Sequence, residues 1–297
     1  MDIFAENNIK IKKFMRKIKA FLTAFVLVAA VAACGKDDNE PVDTGNGGNN
    51  DTEEVVPEDP DNNEGEEDDS SNVDEYTVDE HGYATFTYKG FSYKMKEGDA
   101  KDISGKNAIQ NLREDIDFIV TNIPENALAV MRKRPIWMER NNKHNSSAAW
   151  YHTWAGYPAS IGDLDEKGKC VEITNYNKYV SWSRTNQPLM VLHELCHLYH
   201  DQGLGGENNQ VINQAYQNAK DKGLYKEGWY RSDTSYNKQS QWTKVTDVYC
   251  MNTVWEYFAE MCEAYWGEND YYPFNYELLK KHDPVGFAMM ESIWGKR

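Results

Sequence analysis

The pattern of apolar and polar positions predicts a short strand-rich region followed by several helices. Aromatic side chains alternate with polar ones over residues 83–95, on either side of Lys89 and Gly90, which predicts a small β-hairpin. Further strands are predicted at residues 135–138 and 170–173. Apolar residues at helical spacing predict helices in four segments: residues 104–122, 187–202, 208–222 and 252–266. Few strands followed by several helices favour an α+β fold.

The first 33 residues have the features of a secretory signal peptide. Residues 10–19 are basic, and an apolar run of 14 residues follows at residues 20–33. A membrane-spanning helix needs about 20 apolar residues, so this run is too short to span a membrane comfortably. Met15 begins a compact version of the same pattern, which leaves both Met1 and Met15 open as the true start of the protein.

The residues that end this apolar run, Val31-Ala32-Ala33-Cys34, resemble a lipobox, the sequence that marks bacterial lipoproteins. The resemblance implies that Cys34 is lipidated, becomes the first residue of the mature protein and anchors it to a membrane. The next residues, Gly35-Lys36-Asp37-Asp38, resemble the acidic export tag of surface lipoproteins in the Bacteroides group. Together these resemblances imply an outer-membrane lipoprotein that is exposed on the cell surface.

Charge separates a tether from a folded body. Residues 35–75 contain 17 Asp and Glu and one Lys with few large apolar side chains, so we predict a disordered acidic tether over residues 34–75. Residues 76–297 carry a net charge of only −4. A body so close to neutral lacks the basic face that nucleic-acid binding requires. We divide it into a hairpin segment, residues 76–98, packed on a catalytic domain, residues 99–297.

The clearest chemical signal is the motif His193-Glu194-x-x-His197 in the helix predicted at residues 187–202. Residues four apart lie on one helix face, so both imidazoles can bind one metal ion. Glu194 then lies beside a metal-bound water, whose pKa zinc lowers to about 7. A carboxylate in that position can act as general base and then as general acid. This division of roles is typical of zinc metallopeptidases.

A catalytic zinc ion takes three protein ligands and leaves one position to water. Four residues are candidates for the third ligand: His200, Glu207, Glu256 and Glu260. His200 shares a helix with the other two histidines, and three residues of one straight helix cannot converge on one ion. Glu207 follows two glycines in a predicted loop. Glu256 and Glu260 share a helix face, so one could bind the metal while the other holds a histidine ligand.

Several stretches of residues 187–297 carry a resemblance to a known family: His193-Glu194-x-x-His197, Tyr199-His200-Asp201, Tyr249, Glu256-Tyr257-Phe258-Ala259-Glu260, Tyr265-Trp266-Gly267, Tyr272-Pro273-Phe274 and His282-Asp283-Pro284. This region resembles the catalytic domain of the anthrax lethal factor-like metallopeptidases, within the gluzincin group. The last three stretches are similar to further bacterial relatives of that family.

The resemblance implies a zincin-like domain that binds Zn²⁺ through His193, His197 and Glu256. It also implies that Glu260 is the acid that supports the ligands and that Tyr249 stabilises the oxyanion. One position departs from the family pattern, because Thr253 stands where the family has Asn. This departure concerns the start of the predicted helix.

The sequence therefore predicts a zinc-dependent metallopeptidase that acts on a peptide or protein substrate. Two alternatives remain open, namely a zinc hydrolase with a non-peptide substrate and a surface binding lipoprotein that has lost its activity. An inactive relative usually loses the general base, whereas Glu194 is present. Two roles remain open for Asp201: it could orient His197 or His200, or it could cap the helix or lie at the surface. The remaining thiols follow no disulfide spacing and are expected to be free and buried: Cys170, Cys196, Cys250 and Cys262.

Overall fold

The structure is a computed structural model that describes residues 76–144 and 147–297. The predicted signal peptide, the lipidated Cys34 and the acidic tether lie outside these described residues. The described residues belong to one compact unit of mixed α+β structure. Among its helices, none is both long and apolar enough to cross a membrane.

One six-stranded sheet forms the first half of the unit. Its strands are β1 (Thr77–Val78), β2 (Tyr83–Tyr88), β3 (Phe91–Lys96), β4 (Ile136–Met138), β5 (Trp150–Tyr151) and β6 (Val171–Ile173). They lie in the order β1-β2-β3-β4-β6-β5. The central strands β3, β4 and β6 run parallel, whereas β5 is antiparallel to β6 and forms one edge of the sheet.

The predicted hairpin is confirmed as strands β2 and β3. They pair antiparallel with Tyr88 opposite Phe91, and the turn residues Lys89 and Gly90 both have positive φ values, of 46° and 83°. The hairpin is not a separate segment packed on the body, because β3 also pairs in parallel with β4 inside the main sheet. The alternation of side chains along β3 predicts only that one of its faces is buried. It does not predict that β3 pairs with β4, which is distant in sequence.

The helices are α1 (Glu97–Lys101), α2 (Ile103–Asn122), α3 (Glu125–Met131), α4 (Tyr157–Ser160), α5 (Tyr176–Ser183), α6 (Met190–Gln202), α7 (Gln210–Lys222), α8 (Val254–Trp266), α9 (Tyr276–His282) and α10 (Pro284–Trp294). A second, two-stranded sheet pairs β7 (Glu227–Tyr230) with β8 (Thr243–Thr246) in antiparallel fashion. All four predicted helices are confirmed, as α2, α6, α7 and α8.

Capping side chains decide where these helices begin. The side chain of Asp102 accepts a hydrogen bond from the backbone N–H of Gly105 at the start of α2, and Asn209 does the same for Ile212 at the start of α7. Helix α8 is capped by Thr253, whose hydroxyl accepts from the N–H of Glu256 at 3.1 Å. The threonine that departs from the family pattern thus sets the first turn of the helix that carries Glu256.

Helices α6 and α8 lie at the centre of the core. Most residues of both helices are buried, as expected for helices surrounded by protein on nearly all sides. Helix α6 packs against α8 and also contacts strands β5 and β6. The described cysteines are free and buried, as predicted, and two of them lie in α6 and α8.

Candidate metal centre

Two imidazoles meet on one face of α6, as the motif predicts. His193 and His197 are buried, and their Nε2 atoms lie 3.1 Å apart. The neighbouring side chains Leu192, Leu195 and Leu198 are buried in the core and fix the rotation of the helix about its axis. The two ring nitrogens therefore face each other at a distance set by one helical turn.

Glu256 in the first turn of α8 completes a triangle with these nitrogens. Its Oε2 atom lies 3.1 Å from Nε2 of His193 and 3.4 Å from Nε2 of His197. The N-terminal end of a helix favours a carboxylate, and the Thr253 cap fixes that end. The structure therefore brings together the three residues that the resemblance implied as ligands.

The spacing of this triangle fits a metal ion. Three ligand atoms that surround an ion tetrahedrally at about 2 Å lie roughly 3.3 Å from one another. The observed separations are 3.1, 3.1 and 3.4 Å. Two imidazole nitrogens and one carboxylate oxygen thus converge on one place. Among the described residues, these three form a group that could hold a metal ion.

Electrostatics at the triangle favour a cation. Burial raises the pKa of Glu256, but His197 and His193 outweigh it and hold that pKa well below its ordinary value. Burial lowers the pKa of His193, whereas Glu256 and Glu263 raise it, and the net result is a pKa well above the ordinary range. The protein thus stabilises a positive charge where the three side chains meet, whether that charge is a proton or a metal ion.

The carboxylate that holds His193 from behind is Glu263 and not the predicted Glu260. Oε1 of Glu263 lies 2.5 Å from Nδ1 of His193, and the same oxygen accepts from the amide of Gln187 at 3.2 Å. Glu260 instead accepts a hydrogen bond from Asn269 at 3.0 Å. Glu263 lies seven residues, or about two helical turns, after Glu256, so both acids occupy one face of α8. The same spacing was present in the sequence and made Glu263 a candidate beside Glu260.

Further acids surround Glu263 without adding charge. Glu260, Glu263 and Asp270 are all buried. Burial and the negative charge of Glu263 raise the pKa of both Glu260 and Asp270 well above their ordinary values. These upward shifts favour the neutral, protonated form of both carboxyls.

Glu194 lies half-buried beside both histidines. Burial raises the pKa of its carboxyl, while His193 and His197 lower it, and the net shift is upward. The backbone N–H of Tyr151 on the edge strand β5 also lowers this pKa. The group predicted to act as base is thus held between the metal triangle and the edge of the sheet.

The Tyr249 hydroxyl lies on the α8 side of the same site. Burial, the charges of Glu256 and Glu194, and a hydrogen bond to Glu256 raise its pKa well above 10. Its ring stacks against Tyr271 with a centroid separation of 6.1 Å. The hydroxyl therefore keeps its proton at neutral pH and remains a hydrogen-bond donor.

The other candidates for the third ligand lie elsewhere. His200 is fully buried against the rings of Trp255 and Phe258, and burial lowers its pKa to about 4, so it is a neutral core residue. Glu207 is exposed in a short 3₁₀ turn over Gly206–Asn208. Neither side chain belongs to the metal triangle.

Asp201 connects the metal helix to the edge strand, a role that the sequence did not indicate. Its Oδ2 atom accepts from the hydroxyl of Tyr151 at 2.6 Å and from the ammonium group of Lys169 at 2.5 Å. Gln202 donates to the same hydroxyl at 3.0 Å. Tyr151 is thus bound to α6 through its hydroxyl, and its N–H lies near Glu194 two turns earlier on the same helix.

The buried Lys167 forms ion pairs with residues next to the same edge strand. Lys167 contacts Glu139 and Glu172 at 2.6 Å each and Asp163 at 3.1 Å. Glu172 lies on β6, directly opposite Trp150 of β5, and also binds His152 at 2.7 Å. His152, which follows β5, is therefore a buried structural residue. These ion pairs fix the loops on both sides of the edge strand.

Comparison of the chain with family models, with curated proteins and with solved structures found no match. The chemistry of the site must therefore be inferred from its own geometry.

Proposed function

We propose that this protein is a zinc-dependent metallopeptidase, built on a zincin-like domain of the gluzincin type. The observation that carries this proposal is the triangle of two imidazole nitrogens and one carboxylate oxygen with edges of 3.1, 3.1 and 3.4 Å. Its ligand set, with a glutamate beside the first histidine, is that of catalytic zinc sites. The resemblance to lethal factor-like metallopeptidases supports the same conclusion.

The donor set supports zinc in particular. Two neutral imidazoles and one carboxylate suit zinc, whereas magnesium and calcium prefer sites made of oxygen atoms alone. The contact between Glu263 and Nδ1 of His193 fixes the tautomer that leaves Nε2 free to bind the ion. When bound, zinc would lower the pKa of a water molecule and polarise the carbonyl group of the substrate.

Glu194 supplies the proton transfers. Its carboxylate lies next to the triangle and is partly exposed, so it can reach a water molecule and the substrate. It takes a proton from the attacking water and delivers that proton to the nitrogen of the departing amine. The N–H of Tyr151 lies near this carboxylate and favours its charged form, the form that can accept a proton.

Tyr249 supplies a hydrogen-bond donor for the oxygen of the carbonyl under attack. Because its pKa is well above 10, the hydroxyl keeps its proton throughout the neutral range. Donors of this kind act on the charge that develops in the transition state.

The edge strand β5 favours a peptide as substrate. It has a partner on one side only, β6, and the N–H of Tyr151 points away from that partner toward Glu194. The free edge of the sheet therefore faces the site. An extended peptide can add to such an edge through backbone hydrogen bonds, which places its carbonyl groups beside the metal.

We also propose that lipidation at Cys34 anchors the enzyme to the outer membrane and that the acidic tether presents it on the cell surface. This part of the proposal rests on the sequence of residues 1–75.

The first prediction tests the role of Glu194. The Glu194→Gln variant of the full chain should bind about one zinc ion per chain, like the wild type, and should cleave a peptide library at least ~10³-fold more slowly, since the proton acceptor is lost. Zinc content is measured by elemental analysis and cleavage by mass spectrometry.

Glu207→Gln is the matched control, because Glu207 is exposed and outside the triangle. It should keep both zinc and activity, whereas His193→Ala should lose both. Wild-type turnover in Glu194→Gln, or a wild-type chain that binds zinc and cleaves no peptide, would refute the proposal.

A further inference from the structure

A surface pocket, called here the aromatic pocket, lies next to the two-stranded sheet of β7 and β8. It has a volume of about 430 Å³, within the range of roughly 300–1,000 Å³ usual for small-ligand pockets. Its walls combine aromatic rings with polar groups: Trp229, Trp242, Tyr272, His282, Glu227, Lys244 and Gln239, together with Gly228. None of these residues belongs to the metal centre.

The strand geometry separates this aromatic pocket from the metal centre. The rings of Tyr230 and Tyr271 lie in contact, with centroids 4.9 Å apart and planes inclined by 40°. Tyr271 in turn stacks on Tyr249, so this face of the β7–β8 sheet points toward the metal centre. Adjacent residues of a strand point to opposite faces. Trp229 and Tyr272, which directly adjoin those tyrosines, accordingly line the pocket on the other face.

The rings of the pocket are held in place before any ligand binds. The indole N–H of Trp242 donates to the carbonyl of Tyr236 at 2.8 Å, and its ring packs edge-on against Phe274. The backbone N–H of Tyr272 donates to the carbonyl of Trp229 at 2.8 Å. Trp229 and Trp242 have ring centroids 6.3 Å apart and planes inclined by 59°. Two half-buried indoles at an angle therefore form a rigid, concave aromatic surface.

The charges of the pocket cancel. Glu227 and Lys244 form an ion pair of 2.7 Å, and both side chains are more than half exposed. Burial lowers the pKa of His282, so its ring is neutral. The opposite charges of Glu227 and Lys244 offset each other, so the pocket presents little net charge to a ligand. The pocket is thus suited to a neutral ligand with an apolar face and several hydrogen-bonding groups.

We propose that the aromatic pocket binds a neutral sugar ring, as a monosaccharide or disaccharide unit of a larger glycan. The C–H face of a pyranose packs flat on an indole ring, and its hydroxyls both donate and accept hydrogen bonds. The carboxylate of Glu227, the ammonium of Lys244 and the amide of Gln239 offer both kinds of partner at the rim. This binding site is separate from the metal centre and does not depend on the peptidase activity.

The test uses the labelled full chain on an array of neutral and charged glycans, followed by calorimetric titration with the neutral disaccharide that binds best. The Trp229→Ala variant should bind at least ~10-fold more weakly, because it loses one stacking surface. The Gln239→Ala variant changes an exposed side chain and should bind several-fold more weakly while folding normally. Near-ultraviolet circular dichroism checks the fold of both variants.

The control is Trp154→Ala, which removes an exposed tryptophan (57% exposed) outside the pocket and should leave the affinity unchanged. Glu194→Gln should also bind the sugar normally, which separates this proposal from the proposed peptidase function. The inference is overturned if the array retains no neutral glycan, if the affinity is unchanged in both pocket variants, or if only charged glycans or peptides bind.

Discussion

The two ring nitrogens of His193 have different tasks. Nε2 faces His197 and Glu256, whereas Nδ1 is held by Glu263 at 2.5 Å. A buried carboxylate in this position keeps the proton on Nδ1 and increases the basicity of Nε2 toward a metal. Glu263 should therefore govern metal affinity although it lies outside the triangle.

The second prediction compares Glu263 with Glu260. Glu263→Gln should weaken zinc binding about 10–100-fold, since it removes the negative charge behind His193. Glu260→Gln should change the affinity by less than about threefold, because that carboxyl already carries a proton and binds Asn269. Competition with a chromophoric chelator measures both affinities, and the reverse order would restore the role predicted for Glu260.

The third prediction concerns Tyr249. Tyr249→Phe should lower kcat about 10²–10³-fold, the effect typical of losing one oxyanion donor, while zinc content stays unchanged. Tyr271→Phe is the control, since Tyr271 stacks on Tyr249 without being placed at the triangle. Equal turnover in Tyr249→Phe and wild type would exclude Tyr249 from the reaction.

At the scale of elements, the edge strand β5 and helix α6, which carries His193 and His197, are held together by direct contacts. Tyr151 on β5 donates its hydroxyl to Asp201 on α6, and its N–H lies near Glu194 on the same helix. The strand that we propose to pair with substrate therefore keeps a fixed position relative to the base. We infer that Tyr151 and Asp201 are positioning residues.

The fourth prediction tests this coupling. Tyr151→Phe should lower kcat/KM about tenfold, equivalent to ~1.4 kcal/mol, with zinc binding intact, since only the link between strand and helix is cut. Tyr157→Phe is the control, because its hydroxyl has no hydrogen bond to the described residues and its ring lies beside the same strand. A loss of stability without a change in kcat/KM would show that the link is merely structural.

The hairpin of β2 and β3, strands β4 and β6, and helices α2, α6, α7 and α8 could be predicted from the sequence, but their partners could not. Helix α6 and its motif follow from apolar spacing around His193 and His197, and the α8 residues are apolar enough to show a helix. The pairing of β6 with both β4 and β5 depends on contacts between residues far apart in sequence. For that reason the contact of Tyr151 with Asp201, fifty residues later, had no local signal.

Within helix α8, too, the sequence pattern could not predict which acid, Glu260 or Glu263, contacts His193. Both acids lie on the face of α8 that carries Glu256, so spacing alone allows either to reach His193. The distance between α6 and α8 and the rotation of each helix decide between them, and these depend on the whole core.

At the scale of the whole molecule, the metal triangle links two helices that are about sixty residues apart in the chain. His193 and His197 belong to α6, and Glu256 belongs to α8. An ion bound to all three stabilises the folded state only, because the unfolded chain does not hold these ligands together. Metal binding should therefore be visible in the stability of the entire unit.

The fifth prediction follows from this linkage. Removing zinc with a chelator should lower the melting temperature by roughly 10 °C, since a ligand at about 1,000 times its Kd contributes ~4 kcal/mol. Differential scanning calorimetry with and without added zinc measures the shift. The His197→Ala variant should melt at the same temperature in both conditions, and a wild-type chain that also shows no shift would contradict a bound metal.

Strand β5 contains only two residues, Trp150 and Tyr151, and this short length limits what the proposed enzyme can recognise. So short an edge can pair with only a couple of backbone units, and these must be extended and accessible. Loops, chain termini and unfolded chains offer such backbone. Helices and sheets do not, because their backbone groups are already hydrogen-bonded. The accessibility of a bond, more than the identity of long flanking motifs, should decide where the enzyme cuts.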